Sequence, residues 1–200
     1  MRTIREIKEA FGQSGAKIVN GHHETRLKIA AETEPAEGRY LDRLSFGERR
    51  GIMVEQKTGR VGESVRESRE AYTAEVERYH KELSGRQDFL KGRLFGVGDA
   101  GALSRAALAT DAELGAMLEI SAHAGNAELG RAVFVASEQR GLGDLMARYF
   151  DRVDPDARDL YGEWTEIPPS EVLERQLESV EALIPEPDPA GLMPPAPATT

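Results

Sequence analysis

The stretch from Glu63 to Phe95 carries the longest sustained helical pattern in this chain of 200 residues. Its apolar residues recur at steps of three, four and seven, the spacing that places side chains on one face of a helix. We call this face the stripe, and it consists of Val65, Tyr72, Val76, Tyr79, Leu83 and Leu90, continued by Leu94. A helix of about 33 residues is ~50 Å long, and helical propensity alone stabilises an isolated helix only marginally. The stripe therefore needs a partner, and we predict its first six residues as an interaction surface.

The stripe does not have the pattern of a long coiled coil. Arginine replaces the expected apolar residue at three heptad positions, namely Arg69, Arg86 and Arg93. Gly85 and Gly92 each cost about 1 kcal/mol relative to alanine in a helix interior. A long parallel coiled coil keeps its heptads over three or four repeats. We predict a short coiled-coil-like seam that packs against another helix of the same chain or of a second copy.

Composition is typical of a soluble protein with a modest core, since 40% of the residues are hydrophobic and only 6% are aromatic. No apolar run approaches the ~18 residues that a membrane-spanning helix needs. The charged N-terminus (MRTIREIKEAF) lacks the apolar region of a signal peptide. The absence of cysteine excludes disulfides, thiolate metal ligands and thiol catalysis. We expect no membrane association, and a location in the cytoplasm or within a viral particle assembled there.

The net charge of -9 is divided unevenly along the chain. Residues 1–95 contain 19 basic and 16 acidic side chains, whereas residues 96–200 contain 7 and 19. Because the first part is mixed in sign rather than basic, we do not expect nucleic acid as a partner. The opposed charges of the two parts could instead steer copies of the chain into head-to-tail contact.

Helix signals predict that the chain begins with a helix. Thr3 and Glu6 have the spacing of a capping box, and the apolar residues that follow extend a helix to about Thr33. Asn20–Gly21 is a plausible break in this helix. Glu34–Pro35 should end it, because the residue before proline is disfavoured in helical conformation.

The connection to the long helix is ambiguous. Tyr40, Leu41, Leu44 and Phe46 suit a short helix. Residues 51–59 place one apolar triplet between glycines, which leaves helix, loop and a lone strand open. We favour helix or loop, because no other strand-like run is present to pair with.

Beyond residue 95 the sequence is rich in alanine and leucine and is divided by frequent caps. Asp99 is a candidate N-cap, Thr110–Glu113 is a second capping box, and Gly125 and Asn126 should end one helix and start the next. Asp154–Pro155 also suits a helix start. A last helix opening at Ser170 is predicted to place four apolar residues on one face, namely Leu173, Leu177, Val180 and Ile184.

These patterns predict an all-α protein with three parts. Residues 1–95 form a long-helix hairpin region, residues 96–184 a compact helical bundle, and residues 185–200, with six prolines, a disordered tail. The glycine segment 96–101 joins the first two parts and is interpreted as a hinge.

The hinge segment also matches the nucleotide-binding motif G-x-G-x-x-G from Gly96 to Gly101. Phosphate binding by this motif requires a preceding strand and a free helix N-terminus. Here a long helix precedes the motif, and Asp99 places a negative charge where the phosphate would bind. We therefore expect no nucleotide cofactor.

Histidines provide the only candidate metal ligands besides carboxylates. Glu77 and His80 have the E-x-x-H spacing of helical di-metal sites, which require a second such motif and further inward carboxylates. His22 and His23 form a weak chelating pair that we expect to be exposed. His123 near a helix end has the character of a capping residue. We predict no metal site.

Other polar and aromatic groups also favour a structural interpretation. There is no G-x-S-x-G and no recognisable serine–histidine–acid arrangement, so we predict no catalytic residue and no small-molecule substrate. The aromatic residues Tyr149, Phe150, Tyr161 and Trp164 could line a pocket but are expected in the core. The basic residues Arg49, Arg50, Lys57 and Arg60 are interpreted as a solvated, ion-paired surface.

Two functional hypotheses follow. In the first, the chain is a non-catalytic structural or assembly protein that self-associates or docks on a larger complex through its long helix. A bacteriophage scaffold or head–tail element would fit this general character, although no motif carries that assignment. In the second, it is a monomeric regulatory adaptor that binds a protein or peptide in a groove of its C-terminal bundle, near Trp164.

Overall fold

The computed structural model describes residues 1–32, 44–189 and 192, apart from the side chains of Phe46, Leu173 and Leu177. The described residues form helices and no strand, which confirms the predicted all-α fold. The helices are α1 (Ile4–Ala31), α2 (Phe46–Phe95), α3 (Ala100–Leu108), α4 (Asp111–Ala124), α5 (Ala127–Gln139), α6 (Gly143–Arg152), α7 (Ala157–Thr165), α8 (Ser170–Glu178) and α9 (Val180–Leu183). None of these helices is both long enough and apolar enough to cross a membrane.

Helix α1 begins with the predicted capping box. The backbone N–H of Thr3 donates to Glu6 Oε2 at 2.8 Å, and the N–H of Glu6 donates to Thr3 Oγ1 at 3.3 Å. The predicted break at Asn20–Gly21 is wrong, since the helix continues without interruption to Ala31. Packing of its apolar face against α2 offsets the poor helical propensity of its glycines. The predicted stop at Glu34–Pro35 lies outside the described residues.

Helix α2 is longer than predicted. It spans 50 residues and includes residues 51–59. A third capping box starts it: the N–H of Ser45 donates to Glu48 Oε2 at 2.8 Å, and the N–H of Glu48 donates to Ser45 Oγ at 3.3 Å. The S-x-x-E spacing was visible in the sequence and marks this start. Of the short helix predicted near Tyr40, the residues up to 43 lie outside the described part.

Caps confirm most of the predicted helix boundaries beyond residue 95. Asp99 accepts from the N–H of Ala102, and Thr110 and Glu113 form the reciprocal bonds of a capping box. Gly125 adopts a left-handed conformation with φ of 64°, and Asn126 caps α5. The predicted start at Pro155 is displaced, since α7 begins at Ala157, and the single predicted last helix is divided into α8 and α9.

Contacts divide the chain into two units. Unit 1 comprises Met1–Ile7 and Lys81–Ile167, and unit 2 comprises Lys8–His80 and Pro168–Thr200. The division predicted at residue 95 stays a prediction. The glycine segment lies within unit 1, where Gly98 N–H donates to Glu128 Oε2 at 2.7 Å and Arg131 Nη1 donates to the Gly96 carbonyl at 3.0 Å. A hinge at this place would have to break both bonds.

The core of unit 1 surrounds α5. Phe134 is fully buried and stacks on Tyr149 at 4.9 Å between ring centroids, while Tyr161 meets it edge-on at 5.6 Å. Trp164 packs edge-on against Phe95 at 5.1 Å. Tyr149 and Phe150 are buried core residues, as predicted, whereas Tyr161 and Trp164 are partly buried and pack against that core.

The core of unit 2 lies between α1, α2 and the end of the described chain. Its buried residues are Ile29, Val61, Val65, Tyr72, Val76, Val180, Ile184 and Leu192. In the segment predicted to be a disordered tail, Glu186 pairs with Arg69 at 2.7 Å and Leu192 lies buried. Residues 190, 191 and 193–200 lie outside the described part, so the predicted disorder stays a prediction.

Candidate docking surface

The structure places the predicted interaction stripe inside the chain's own packing. All six residues predicted as the interaction surface are buried in the single chain, namely Val65, Tyr72, Val76, Tyr79, Leu83 and Leu90. Phe11 of α1 stacks on Tyr79 at 4.6 Å and meets Tyr72 edge-on at 6.1 Å. The alternative that the seam packs against a helix of the same chain accounts for this burial. A contact of the stripe with another protein stays a prediction and would require α1 to move.

The arginines that interrupt the heptads have specific partners in later parts of the chain. Arg86 makes a two-pronged ion pair with Glu163, at 2.8 and 2.6 Å, in which both side chains are largely buried. Arg69 donates to the Ile184 carbonyl at 2.9 Å, and Arg93 lies 3.6 Å from Asp154. These positions carry arginine because each faces a carboxylate or carbonyl rather than an apolar helix.

A polar groove of about 750 Å³ lies between α1 and α2 in unit 2. His22 lines it and is buried rather than exposed as predicted, because its ring packs between the two helices, with Nδ1 3.2 Å from Ser64 Oγ. Burial lowers the pKa of His22 below its ordinary 6.5, and the neighbouring charges of Arg26, His23 and Arg69 lower it further. His22 is therefore neutral at pH 7.

The predicted basic surface is also wrong at Lys57. This side chain is buried, and Nζ donates to the Ala30 and Glu32 carbonyls at 2.8 and 2.6 Å. Carbonyls at the end of a helix lack intrahelical partners and carry partial negative charge, so an ammonium group stabilises them. Arg60 binds the Glu32 side chain at 2.5 Å. Lys57 and Arg60 thus hold the end of α1 to α2.

Helix α4 has apolar side chains on two adjacent faces, and only one of them is buried. Leu114, Leu118 and Ser121 face the core of unit 1. Ala116, Met117 and Ile120 follow at helical spacing on the next face, where Ile120 is 59% exposed. The outer face of a surface helix normally carries polar and charged side chains, so an exposed apolar face is unusual. The second face of α4 therefore has the character of a surface that another element covers.

This face forms one wall of a groove of about 490 Å³ between α3 and α4. We call it the α3–α4 groove, and its lining consists of Arg105, Leu108, Ala109, Glu113, Ala116, Met117 and Ile120. Leu108, the last residue of α3, is 87% exposed. The sequence indicated a cap at this junction but not an exposed surface, because exposure depends on which faces the tertiary packing covers.

The two charged residues of the groove have opposite signs. Hydrogen bonds from the backbone and side chain of Thr110 lower the pKa of Glu113 below its ordinary 4.5, so its carboxylate is ionised at neutral pH. Arg105 approaches Asp99 only to 3.9 Å, and both side chains are exposed. An exposed ion pair of this kind contributes little to stability, so Arg105 can leave Asp99 and turn toward a partner at small cost in free energy.

Neither metal-site motif gathers a ligand set in the described ranges, where no group of three or more His, Asp and Glu side chains could hold a metal ion. His80 is half-buried, with its ring 5.9 Å from that of Tyr79, and His123 Nδ1 lies 2.8 Å from the Glu119 carbonyl within α4. The G-x-G-x-x-G segment follows helix α2 rather than a strand, and Asp99 occupies the start of α3.

No protein-family profile, curated protein or solved structure matches this chain. Function therefore has to be inferred from the molecule's own surface. Among the described residues, the α3–α4 groove brings three large apolar side chains, Leu108, Met117 and Ile120, to the lining of one concave surface.

Proposed function

We propose that this protein is a non-catalytic structural or assembly component that docks on another protein through the α3–α4 groove. The observation that carries the proposal is the exposure of Leu108 and Ile120 on the two walls of one apolar groove. Exposed apolar patches with polar rims are typical of protein interaction sites. Grooves between helices commonly receive the apolar face of an amphipathic helix.

The proposal differs from both hypotheses drawn from the sequence in where the contact lies. The stripe of α2 is buried within the chain, so we assign α2 a structural role in the packing of each unit. Trp164 packs against Phe95 in unit 1. The α3–α4 groove does not include Trp164 in its lining.

A peptide selection tests this function. Helical peptides displayed on phage are selected on dilute wild-type protein and counter-selected on the Leu108→Glu variant, and binding is then measured by fluorescence anisotropy. We expect enrichment of peptides with apolar residues at steps of three and four, and loss of their binding to Leu108→Glu and Ile120→Glu. Leu27→Glu is a matched control, because Leu27 is 56% exposed on α1 and does not line the groove. Absence of any groove-dependent peptide would contradict the proposal.

A further inference from the structure

Resting on this proposed docking function, we infer that the α3–α4 groove receives the same surface of a second copy of this chain, so that two copies pair about a two-fold axis. In such an isologous contact one patch meets itself and must be self-complementary. The inference is carried by the shape and the charges of the groove.

The shape is self-complementary because the patch contains both a projection and a depression. Leu108 projects from the end of α3 with little cover from the chain. Beside it lies the depression, whose apolar lining includes Ala116 and Met117. A two-fold axis through the patch places Leu108 of each copy into the depression of the other. Small residues such as Ala116 allow the close approach that this packing needs.

The charges are self-complementary because the groove carries one cation and one anion. A two-fold axis places Arg105 of one copy next to Glu113 of the second copy, and the reverse pair forms by symmetry. Arg105 and Glu113 cancel, so the groove lining carries no net charge, although the acidic Asp99 lies beside Arg105 and the whole chain carries -9. Two copies that meet here bring opposite charges together at both rims of the contact, and these two pairs fix the orientation.

The first test is the solution mass by light scattering and sedimentation over a wide concentration range. We expect a monomer–dimer equilibrium for wild type. Leu108→Glu and Ile120→Glu should each raise the dimer dissociation constant by about tenfold or more, as for a residue near the centre of an interface. Because both side chains are exposed, the circular dichroism spectra should match wild type, and the thermal midpoints should match at concentrations low enough to keep every chain monomeric. The Leu27→Glu control should dimerise like wild type.

A charge exchange tests the two-fold arrangement. Arg105→Glu alone places Glu opposite Glu113, and Glu113→Arg alone places Arg opposite Arg105, so each variant should be monomeric. An equimolar mixture restores both opposite-charge pairs and should form a heterodimer. Glu113 also belongs to the capping box of α4, so the helicity of Glu113→Arg is checked first.

Cross-linking provides a third readout, because the chain contains no cysteine. An equimolar mixture of Leu108→Cys and Ala116→Cys should form a disulfide-linked heterodimer under mild oxidation, because the arrangement places Leu108 of one copy against Ala116 of the other, whereas mixtures with Leu27→Cys should not. A wild-type chain that stays monomeric at every concentration overturns the inference, as does a dimer that Leu108→Glu leaves intact. If the chain is monomeric while the groove still binds selected helical peptides, the docking function stands with another protein as partner. If both experiments fail, both proposals are wrong.

Discussion

At Gly130, on α5, the absence of a side chain sets the distance to neighbouring groups. A Cβ at this position would lie 2.5 Å from Ser121 Oγ and 2.7 Å from Val153 Cγ1, and both atoms would have to move. Ser121 is buried and donates to the Asn126 carbonyl at 2.9 Å, so its displacement would also break the junction between α4 and α5. The glycine is therefore required by the space available and not by backbone conformation.

We predict that Gly130→Ala lowers the free energy of unfolding by about 2 kcal/mol, because overpacking costs more than the gain in helical propensity. Urea unfolding followed by the fluorescence of Trp164, the chain's single tryptophan, measures this. Gly92→Ala is the matched control, since a Cβ there meets nothing within 4 Å. It should raise stability by about 0.5–1 kcal/mol. A neutral Gly130→Ala variant would show that the neighbouring atoms can move freely.

Among the helices, Glu163 of α7 connects the parts of α1 and α2 that lie in unit 1. Its carboxylate on α7 pairs with Arg86 of α2 and accepts from the Ile4 N–H at the start of α1, at 2.7 Å. The hydrogen bonds from the Arg86 side chain lower the pKa of Glu163 below its ordinary 4.5. A buried pair of this kind is costly to break, because the remaining charge stays desolvated.

We predict that Glu163→Gln lowers the free energy of unfolding at pH 7 by ~3 kcal/mol, since Arg86 is left buried without a counter-charge. The wild-type contribution is present above pH 4.5 and is lost as the pH falls through the lowered pKa, because the unfolded chain then binds a proton that the folded chain does not. Urea midpoints between pH 7 and pH 3 measure both effects. The urea midpoint of the variant should fall less steeply than that of wild type as the pH is lowered.

Glu82→Gln is the control for this prediction. Glu82 pairs with Arg2 at 3.2 Å, but both side chains are exposed, so its loss should cost less than ~1 kcal/mol. If the two substitutions lower the free energy of unfolding equally, burial does not make the Arg86–Glu163 pair more important for stability than an exposed pair.

At the scale of the whole molecule, each unit is completed by residues from distant parts of the chain. In unit 2, Val180, Ile184 and Leu192 pack into a core built mainly by α1 and α2. In unit 1, one buried cluster runs from Leu94 to Ala157, and Ile4 and Ile7 at the start of the chain are also buried. The two cores therefore share no residue.

We predict that Ile184→Asp destabilises unit 2 by about 3 kcal/mol or more, because it places a carboxylate at a fully buried position. Far-UV circular dichroism should then show an early loss of helix, while the Trp164 transition in unit 1 stays close to that of wild type. Leu183→Asp is the neighbouring control, since Leu183 is 41% exposed. If Trp164 reports the same early transition, the two units unfold together.

Local patterns in the sequence were enough to predict the fold class and many helix boundaries. Capping boxes at Thr3 and Thr110, the N-cap at Asp99 and the left-handed Gly125 follow from short-range chemistry, which a few neighbouring residues fix. The apolar periodicity of the stripe likewise showed which face of α2 is buried. The Ser45–Glu48 box was equally readable and would have given the true start of α2.

Long-range packing determines which element covers each helix face, and no local pattern predicts it. The sequence could not show that α1 packs on the stripe, that Lys57 binds the end of α1, or that His22 is buried, since these contacts join residues far apart in the chain. The same holds for the α3–α4 groove. Leu108 and Ile120 have the apolar character of core residues. Ile120 is exposed because α5 and α6 pack on the other side of α4, and Leu108 is exposed at the end of α3, which packs on α5.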